Sequence, residues 1–302
     1  MVRAMLTLTA MLILTNCSDS GPPKYQPTYS ETPPANSTVY IFSPHPMLNP
    51  QKLAEIYGAI IDQLNEHLAA DHITLKLEVS RNYADFEEKL QHRQMHFALP
   101  NPYETVLAQD WGYMIFGKMD SQFQGVILMR KDSPITNVQG LKGSTVSFAA
   151  FTALAGTMMP ELFLQEHGVN PKVDITQAFV GTHDSAIMNV FIGNAVAACS
   201  SLRAWQVFQH DHPDQAHLLE VRWRTDILPN NGLVARNDLP EDVQRKVAQA
   251  FFQLSEKPES QRILNAAGTS GFVPADNATY APVYDFIKRY ERTIRPLKES
   301  HE

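Results

Sequence analysis

The sequence predicts an α/β protein with helices on both faces of mainly parallel sheets, divided into two lobes. Two observations predict this. From residue 39 onward short apolar strands alternate with amphipathic helices, the pattern of sheets covered by helices on both sides. The chain also ends in helices that can pack back on its first half, which implies two crossings between lobes, near 120–126 and near 226–236.

The elements follow in order. Val39 to Phe42 reads as a short strand. Asn49-Pro50 opens a helix, with Asn as N-cap and Pro at the first helical position. Leu53, Ile56, Tyr57, Ile60, Ile61, Leu64 and Leu68 give that helix one apolar face. Ile73, Leu75, Leu77 and Val79 alternate as a strand does. A helix over Tyr83 to Gln91, a strand over His96 to Leu99 and a helix from about Pro102 come next. Gln124 to Arg130 is a strand, and residues 140–151 hold a turn and another. A helix from Thr157 to His167 stops at Gly168. A strand near Val173 to Phe179, a helix from Asp184 to Ile192 and a strand from Ala195 to Cys199 complete the middle. Two extended runs lie in 218–236, and helices cover roughly 240–254, 259–266 and 279–293.

Composition narrows the function. The 302 residues are 44% hydrophobic and 19% charged with net charge −7, so disordered and fibrous classes are excluded. The basic footprint of a nucleic-acid binder is missing. Two cysteines, Cys17 and Cys199, exclude a disulfide framework and argue against a cysteine zinc site.

Cys17 has a special place. Arg3 and the apolar run Ala4 to Leu14 have signal-peptide form. The run ends in Leu14-Thr15-Asn16-Cys17, which resembles a bacterial lipobox, with Asn16 where a small residue is usual. That resemblance implies lipidation of Cys17. An ordinary secretory signal with a coincidental cysteine is the alternative. Residues 18–38, rich in Pro, Ser and Thr, read as a flexible tether. The expected organisation is a signal peptide at 1–17, a tether at 18–38, one lobe from 39–122 plus 232–302, and the other from 123–231. The body is expected on the periplasmic or cell-surface side of a bacterial membrane.

Several phrases carry a wider resemblance: FSPHPMLNPQKL (42–53), NYADFEEKLQHRQMHFALPNPYE (82–104), FQGVILMRKDSPITNVQGLKG (123–143), GTMMPELFLQEHGV (156–169), FVGTHDSAIMNVFIGNAVA (179–197) and ILPNNGLVARNDLP (227–240). In order and spacing they resemble the phosphate/phosphite/phosphonate-binding receptors of bacterial ABC importers, over about residues 39–270. The resemblance implies a type II periplasmic-binding-protein fold, in which two α/β lobes joined by a hinge close on a small molecule in a central cleft. It also implies a non-enzymatic protein without cofactor or metal, whose partners are an anionic small-molecule ligand and a membrane permease. A membrane-bound signalling protein served by the same fold is the alternative partner.

Site residues follow from the same resemblance. In the family a Ser/Thr-rich turn ending in Gly opens a helix and cradles the phosphonate oxygens. The matching stretch here is Thr152-Ala153-Leu154-Ala155-Gly156-Thr157, with Ala153 and Ala155 at hydroxyl-bearing positions. Backbone N–H groups at a helix start still attract an anion, and a plain helix start is the competing reading. His183-Asp184 match a His-acid pair; the histidine is a donor whose charge responds to pH, and the pair also suits a helix start. Two acids that hold a ligand amine in relatives fall on Asn231 and near Arg203 or Ser201, so an aminoalkyl phosphonate lacks its counter-charge. Asn230 accompanies Asn231, and Arg203 would favour a more acidic ligand if it faced the cleft. On the first lobe Ser43, His45, Asn101 and Tyr103 follow strands, where ligands of open α/β sheets sit. Tyr103 reads equally well as a packed aromatic. His210, His212 and His217 cluster with Asp211 and Asp214, but Pro213 breaks ligand spacing, so a polar loop is preferred to a metal site.

Overall fold

The computed structural model describes residues 37–297. Cys17 and nearly all of the tether lie outside the described residues. Among the described residues no helix is long and apolar enough to cross a membrane.

The chain forms two mixed sheets. β1 (Thr38–Pro44), β2 (Ile73–Leu77) and β3 (Phe97–Leu99) join β4 (Tyr113–Met119), a late strand β10 (Gly232–Arg236) and the short β11 (Phe272–Pro274) in the order β11-β4-β10-β3-β1-β2. β5 (Phe123–Arg130), β6 (Thr145–Phe148), β7 (Thr176–Phe179), β8 (Ala197–Ser201) and β9 (Leu219–Leu228) form the second sheet, in the order β7-β6-β8-β5-β9. Each sheet with its helices is a lobe. The expectation of mainly parallel sheets is corrected. β1 pairs in parallel with β2 and β3, and β6 with β7 and β8. β10 runs antiparallel to β3 and β4, and β5 antiparallel to β8 and β9. The cause is the double crossing. A chain that leaves one sheet by β4 and returns by β10 brings those two strands side by side in opposite directions, and β5 and β9 repeat the arrangement in the other sheet.

Local sequence explains the helices that position the cleft. Asn49 caps α1 (Pro50–Leu68) by accepting from Lys52 N at 2.9 Å. Asn82 caps α2 (Tyr83–Gln91) through Asp85 N. α3 (Pro102–Leu107) starts with a full capping box, since Asn101 Oδ1 accepts from Glu104 N at 3.0 Å while Glu104 Oε2 accepts from Asn101 N at 3.2 Å. Along β5, Val126 and Leu128 enter one core, and Ile127 and Met129 enter the opposite one, as the period of two requires. Strand Ile73–Leu77 stops short of Val79, and β4 and β11 were not among the expected strands.

The C-terminal helix α10 (Ala281–Thr293) ties the lobes together behind the cleft. It packs on α3 and on α4 (Met159–Glu166). On α4 the buried Glu161 carboxylate accepts from Tyr290 Oη, and from Arg295 Nη1 at 2.6 Å. One apolar cluster runs continuously from Phe86 and Val106 on the first lobe through Phe286 and Tyr290 to Met158 and Leu162 on the second.

Candidate functional site

A cavity of about 310 Å³ lies between the lobes, at the small end of the range for small-molecule pockets. Its walls come from loops at the strand ends of both sheets and from the two crossing segments, 120–122 and 229–231.

His183 stands on the second-lobe wall at the start of α5 (His183–Phe191) and is 4% exposed. Its Nδ1 accepts from the backbone N–H of Ser201 at 3.3 Å and lies 3.1 Å from Ser200 Oγ. Nε2 therefore carries the ring proton and is the nitrogen available to a ligand. Burial, with nearby His45 adding to it, pushes the imidazole down to about 3. The expectation that its charge responds to pH is thus corrected. His183 is a neutral donor throughout the physiological range, because the protein around it replaces the water that would solvate a cation.

The oxyanion-type turn sits against this ring. Ala153 caps a π-type turn over Leu154–Met158 that continues into α4. The wide turn makes Met158 N bond to Ala153 O at 3.2 Å, so the N–H groups of Leu154 to Thr157 precede the ladder. Ala153, Leu154 and Ala155 line the cavity. Gly156 lets the turn approach His183, since a Cβ there would lie 2.5 Å from His183 Cε1. Thr157 is fully buried and its hydroxyl donates to Ala150 O at 2.7 Å, away from a ligand. Thr152 lines a separate, larger hollow with Asn82, Glu87 and Phe151.

The first-lobe wall carries His45, Tyr83 and Asn101. His45 Nδ1 lies 2.8 Å from Glu104 Oε2, at 5% and 0% exposure. The His45 ring stands edge-on to Tyr83 and Phe86. Tyr83 Oη and Asn101 Nδ2 are buried without a partner among the described residues, and burial followed by the Glu104 charge raises the Tyr83 phenol, keeping it a donor. Ser43 is buried behind this wall, its hydroxyl also unpartnered. Tyr103 packs in the apolar cluster shared by the lobes and does not reach the cavity.

Arg203 on α6 (Leu202–Asp211) lines the cavity. Its guanidinium crosses to the other lobe, where Nη2 donates to Asn265 O at 3.2 Å and Ala266 O at 2.5 Å, the last carbonyls of α9 (Ser260–Ala267). Asn230 braces the crossings, donating from Nδ2 to Ser121 Oγ at 2.7 Å, and Asn231 lines the cavity beside it. Asp184 points away, 58% exposed and 3.5 Å from His212 Nε2. His210 contacts Asp211. Among the described residues no three His, Cys, Asp or Glu side chains gather as a metal site.

Sequence reasoning missed Tyr83, Gln122, Gln124 and Gln206 on the walls. The three glutamines sit in a crossing segment, a strand start and a helix, where no pattern marks an inward-facing side chain. Tyr83 carried one signal, its place in the first turn after an Asn cap.

A family model described as ABC transporter, phosphonate, periplasmic substrate-binding protein matches residues 42–280. A probable ABC transporter phosphite binding protein of Prochlorococcus marinus (strain MIT 9301) is 25% identical over 207 residues, 64% of this chain and 67% of that protein. The phosphonates-binding periplasmic protein of Escherichia coli (strain K12) is 20% identical over 165 residues, so the match spans 53% of this chain and only 49% of that one. A crystal structure of a Prochlorococcus marinus protein in complex with methylphosphonate superposes with a TM-score of 0.75 at 20% identity, covering 84% of this chain and 98% of that one.

Proposed function

Because this chain belongs to the periplasmic substrate-binding proteins of phosphonate ABC transporters, we propose that it captures a small phosphorus oxyanion in the interlobe cleft. The ligand class is phosphate, phosphite or an alkylphosphonate, delivered to an ABC importer. The observation that carries this reading is the pairing of His183, fixed with Nε2 protonated, with the free N–H groups at the start of the 154–166 helical segment. Both are neutral donors converging from one wall, and a helix start adds its dipole. Tyr83 and Asn101 supply unpartnered donors from the other wall, so an oxyanion bound between them holds the lobes together.

Two features set the ligand's other end. Among the described residues no Asp, Glu or Lys lines this cavity, and Arg203 is committed to the carbonyls of α9. An ammonium group entering it has no counter-charge. The lipobox-like Leu14-Thr15-Asn16-Cys17 and the Pro-rich stretch after it support a form anchored through lipid on Cys17, with the binding body held at the membrane.

A thermal-shift screen against phosphorus oxyanions tests the reading, since a ligand that binds only the folded state raises the melting temperature. Loss of uptake of the hit compound on deleting the gene supports import. Unchanged uptake with loss of a ligand-dependent kinase response assigns the protein to sensing.

A further inference from the structure

The cavity is larger than a bare phosphonate group needs. A water molecule occupies roughly 30 Å³ in the liquid, so 310 Å³ accommodates about ten non-hydrogen atoms, twice the size of methylphosphonate. The lining beyond the donors already described is mixed. Met47, Met119, Phe123 and Leu202 are apolar, and most of the polar side chains there are committed to the protein. Asn230 Nδ2 donates to Ser121 Oγ, its Oδ1 accepts from Asn231 N at 2.7 Å, and Gln124 Nε2 donates to Thr225 O at 2.7 Å. Asn231 differs. It is 4% exposed, and among the described residues its side-chain amide makes no hydrogen bond. The amide atoms are not sealed in either, so what remains exposed of them opens onto the cavity that the residue lines. The backbone on both sides is pinned, because Tyr280 Oη donates to Asn230 O at 2.5 Å and Gly232 N donates to Thr105 Oγ1 at 3.1 Å. Asn231 is thus a buried, fixed and uncommitted amide in a cleft with room beside the anion.

Resting on the oxyanion reading above, we propose that Asn231 binds an uncharged hydrogen-bonding group, a hydroxyl or a carbonyl, carried on the alkyl substituent of a phosphonate. The ligand class is then hydroxyalkyl and oxoalkyl phosphonates rather than bare phosphate, phosphite or methylphosphonate. The phosphonate oxygens take the donors of His183 and the 154–157 turn, the alkyl carbons lie against the methionines, Phe123 and Leu202, and the terminal oxygen meets the amide. An amide offers both a donor and an acceptor, and so does a hydroxyl, so the two satisfy each other.

Charge and desolvation select this class over its isosteres. Among the described residues no carboxylate or Lys lines the cavity, and the Arg203 guanidinium is held by the carbonyls of Asn265 and Ala266. An ammonium end, or a second carboxylate, leaves water for a wall without a free opposite charge. A purely alkyl end of the same length fills the space but strips water from the Asn231 amide and gives it no partner, and leaving a buried amide unpaired costs more than a made hydrogen bond contributes. A site with a hydrogen-bonding group at that place therefore discriminates against the analogue that lacks the hydroxyl.

The test is calorimetric titration of the detergent-solubilised full chain with 2-hydroxyethylphosphonate and propylphosphonate, which have the same number of non-hydrogen atoms, and with methylphosphonate, 2-aminoethylphosphonate and phosphonoacetate. It is repeated with Asn231→Leu and with Asn231→Asp, which keeps the side-chain size. The wild type is expected to bind 2-hydroxyethylphosphonate tightest, ahead of propylphosphonate by at least about 10-fold. Asn231→Leu is expected to bring that ratio to about 1, and Asn231→Asp to close the gap to 2-aminoethylphosphonate. The ratio is read within each variant, so a general loss of affinity from altered folding leaves it unmoved. A ratio kept in Asn231→Leu overturns the inference. Equal wild-type affinity for the hydroxyethyl and propyl compounds, or tighter binding of the amine or the carboxylate, also overturns it, while leaving oxyanion capture standing. Binding of none of the five, with no phosphorus oxyanion shifting the melting temperature, overturns both.

Discussion

The guanidinium of Arg203, on α6 of one lobe, donates to the carbonyl of Ala266 at the last turn of α9 on the other lobe. It is a cation at the negative end of a helix, and its reach depends on Gly268. That residue ends α9 in the left-handed region at φ 83°, and a Cβ there would lie 2.3 Å from Arg203 Nε. The neighbouring ion pair of Lys52 Nζ with Asp211 Oδ2, at 2.8 Å, spans the same gap between lobes. The two lobes are thus joined across the cleft by protein groups alone.

Arg203→Ala removes the charge-assisted donation shared by Asn265 O and Ala266 O and is therefore expected to weaken binding by at least about 10-fold. The loss belongs in the dissociation rate, because the contact joins the two lobes around the cleft. Stopped-flow measurement checks this. Lys52→Ala, in a half-exposed pair, is expected to change affinity by less than about 5-fold, and the change should shrink with added salt.

Gly156→Ala forces the turn and the His183 ring apart, since neither the buried backbone nor the ring tied to Ser201 has room to yield. Titration with methylphosphonate is expected to show a loss of about 100-fold. His183→Ala should cost a similar factor, and the double variant little more than either single one, because the two act as one unit.

Stability follows opposite signs at two buried groups. His183 falls from its ordinary value to about 3 in the folded protein. Below about pH 6.5 the unfolded chain binds a proton that the folded one refuses, so stability is lost as pH falls from there toward 3, by about 1.4 kcal/mol per unit. Glu87 is pushed up to about 7 by burial and then by Glu104. Its contribution is intact below the usual carboxylate range and is lost as pH rises toward 7. Glu87→Gln is expected to raise stability at pH 8 by about 1–2 kcal/mol and to change it little at pH 4. Urea melts at both pH values check this.

Among the described residues no carboxylate lines the cavity, and a ligand amine there meets Asn231 and Arg203. 2-Aminoethylphosphonate is expected to bind at least about 10-fold more weakly than methylphosphonate, and Asn231→Asp to narrow the gap. Competitive titration measures both.

Cys17→Ser should abolish labelling by radioactive palmitate and release the body from the membrane fraction. Mass spectrometry of the wild-type N-terminal peptide is expected to show an acylated cysteine.

Much of this architecture was legible because local rules and tertiary packing agree. The Asn49-Pro50 start, the apolar face from Leu53 to Leu68 and the bounds of α2 were readable from caps and period. The direction of strand pairing was not, because it depends on which strands lie side by side once the chain has passed from one sheet to the other and back, and no local pattern carries that. Within the site, His183 was legible from its phrase and helix start. Its fixed charge was not, since it depends on Ser201, Gly156 and His45 arriving from distant elements. The His45–Glu104 contact joins residues 59 apart in sequence through two unrelated loops. Tyr103 reads equally as a cleft aromatic or a packed one, and its place in one apolar cluster with Phe286 and Tyr290 of α10 decides for packing.

Calorimetric titration of the full chain with methylphosphonate, comparing wild type with His183→Ala, tests the central claim most directly. Saturable one-to-one binding in the wild type, weakened by about 100-fold in a variant that still melts cooperatively, is the predicted result. Undiminished binding in the variant, or none in the wild type, would contradict the assignment of this cleft to oxyanion capture.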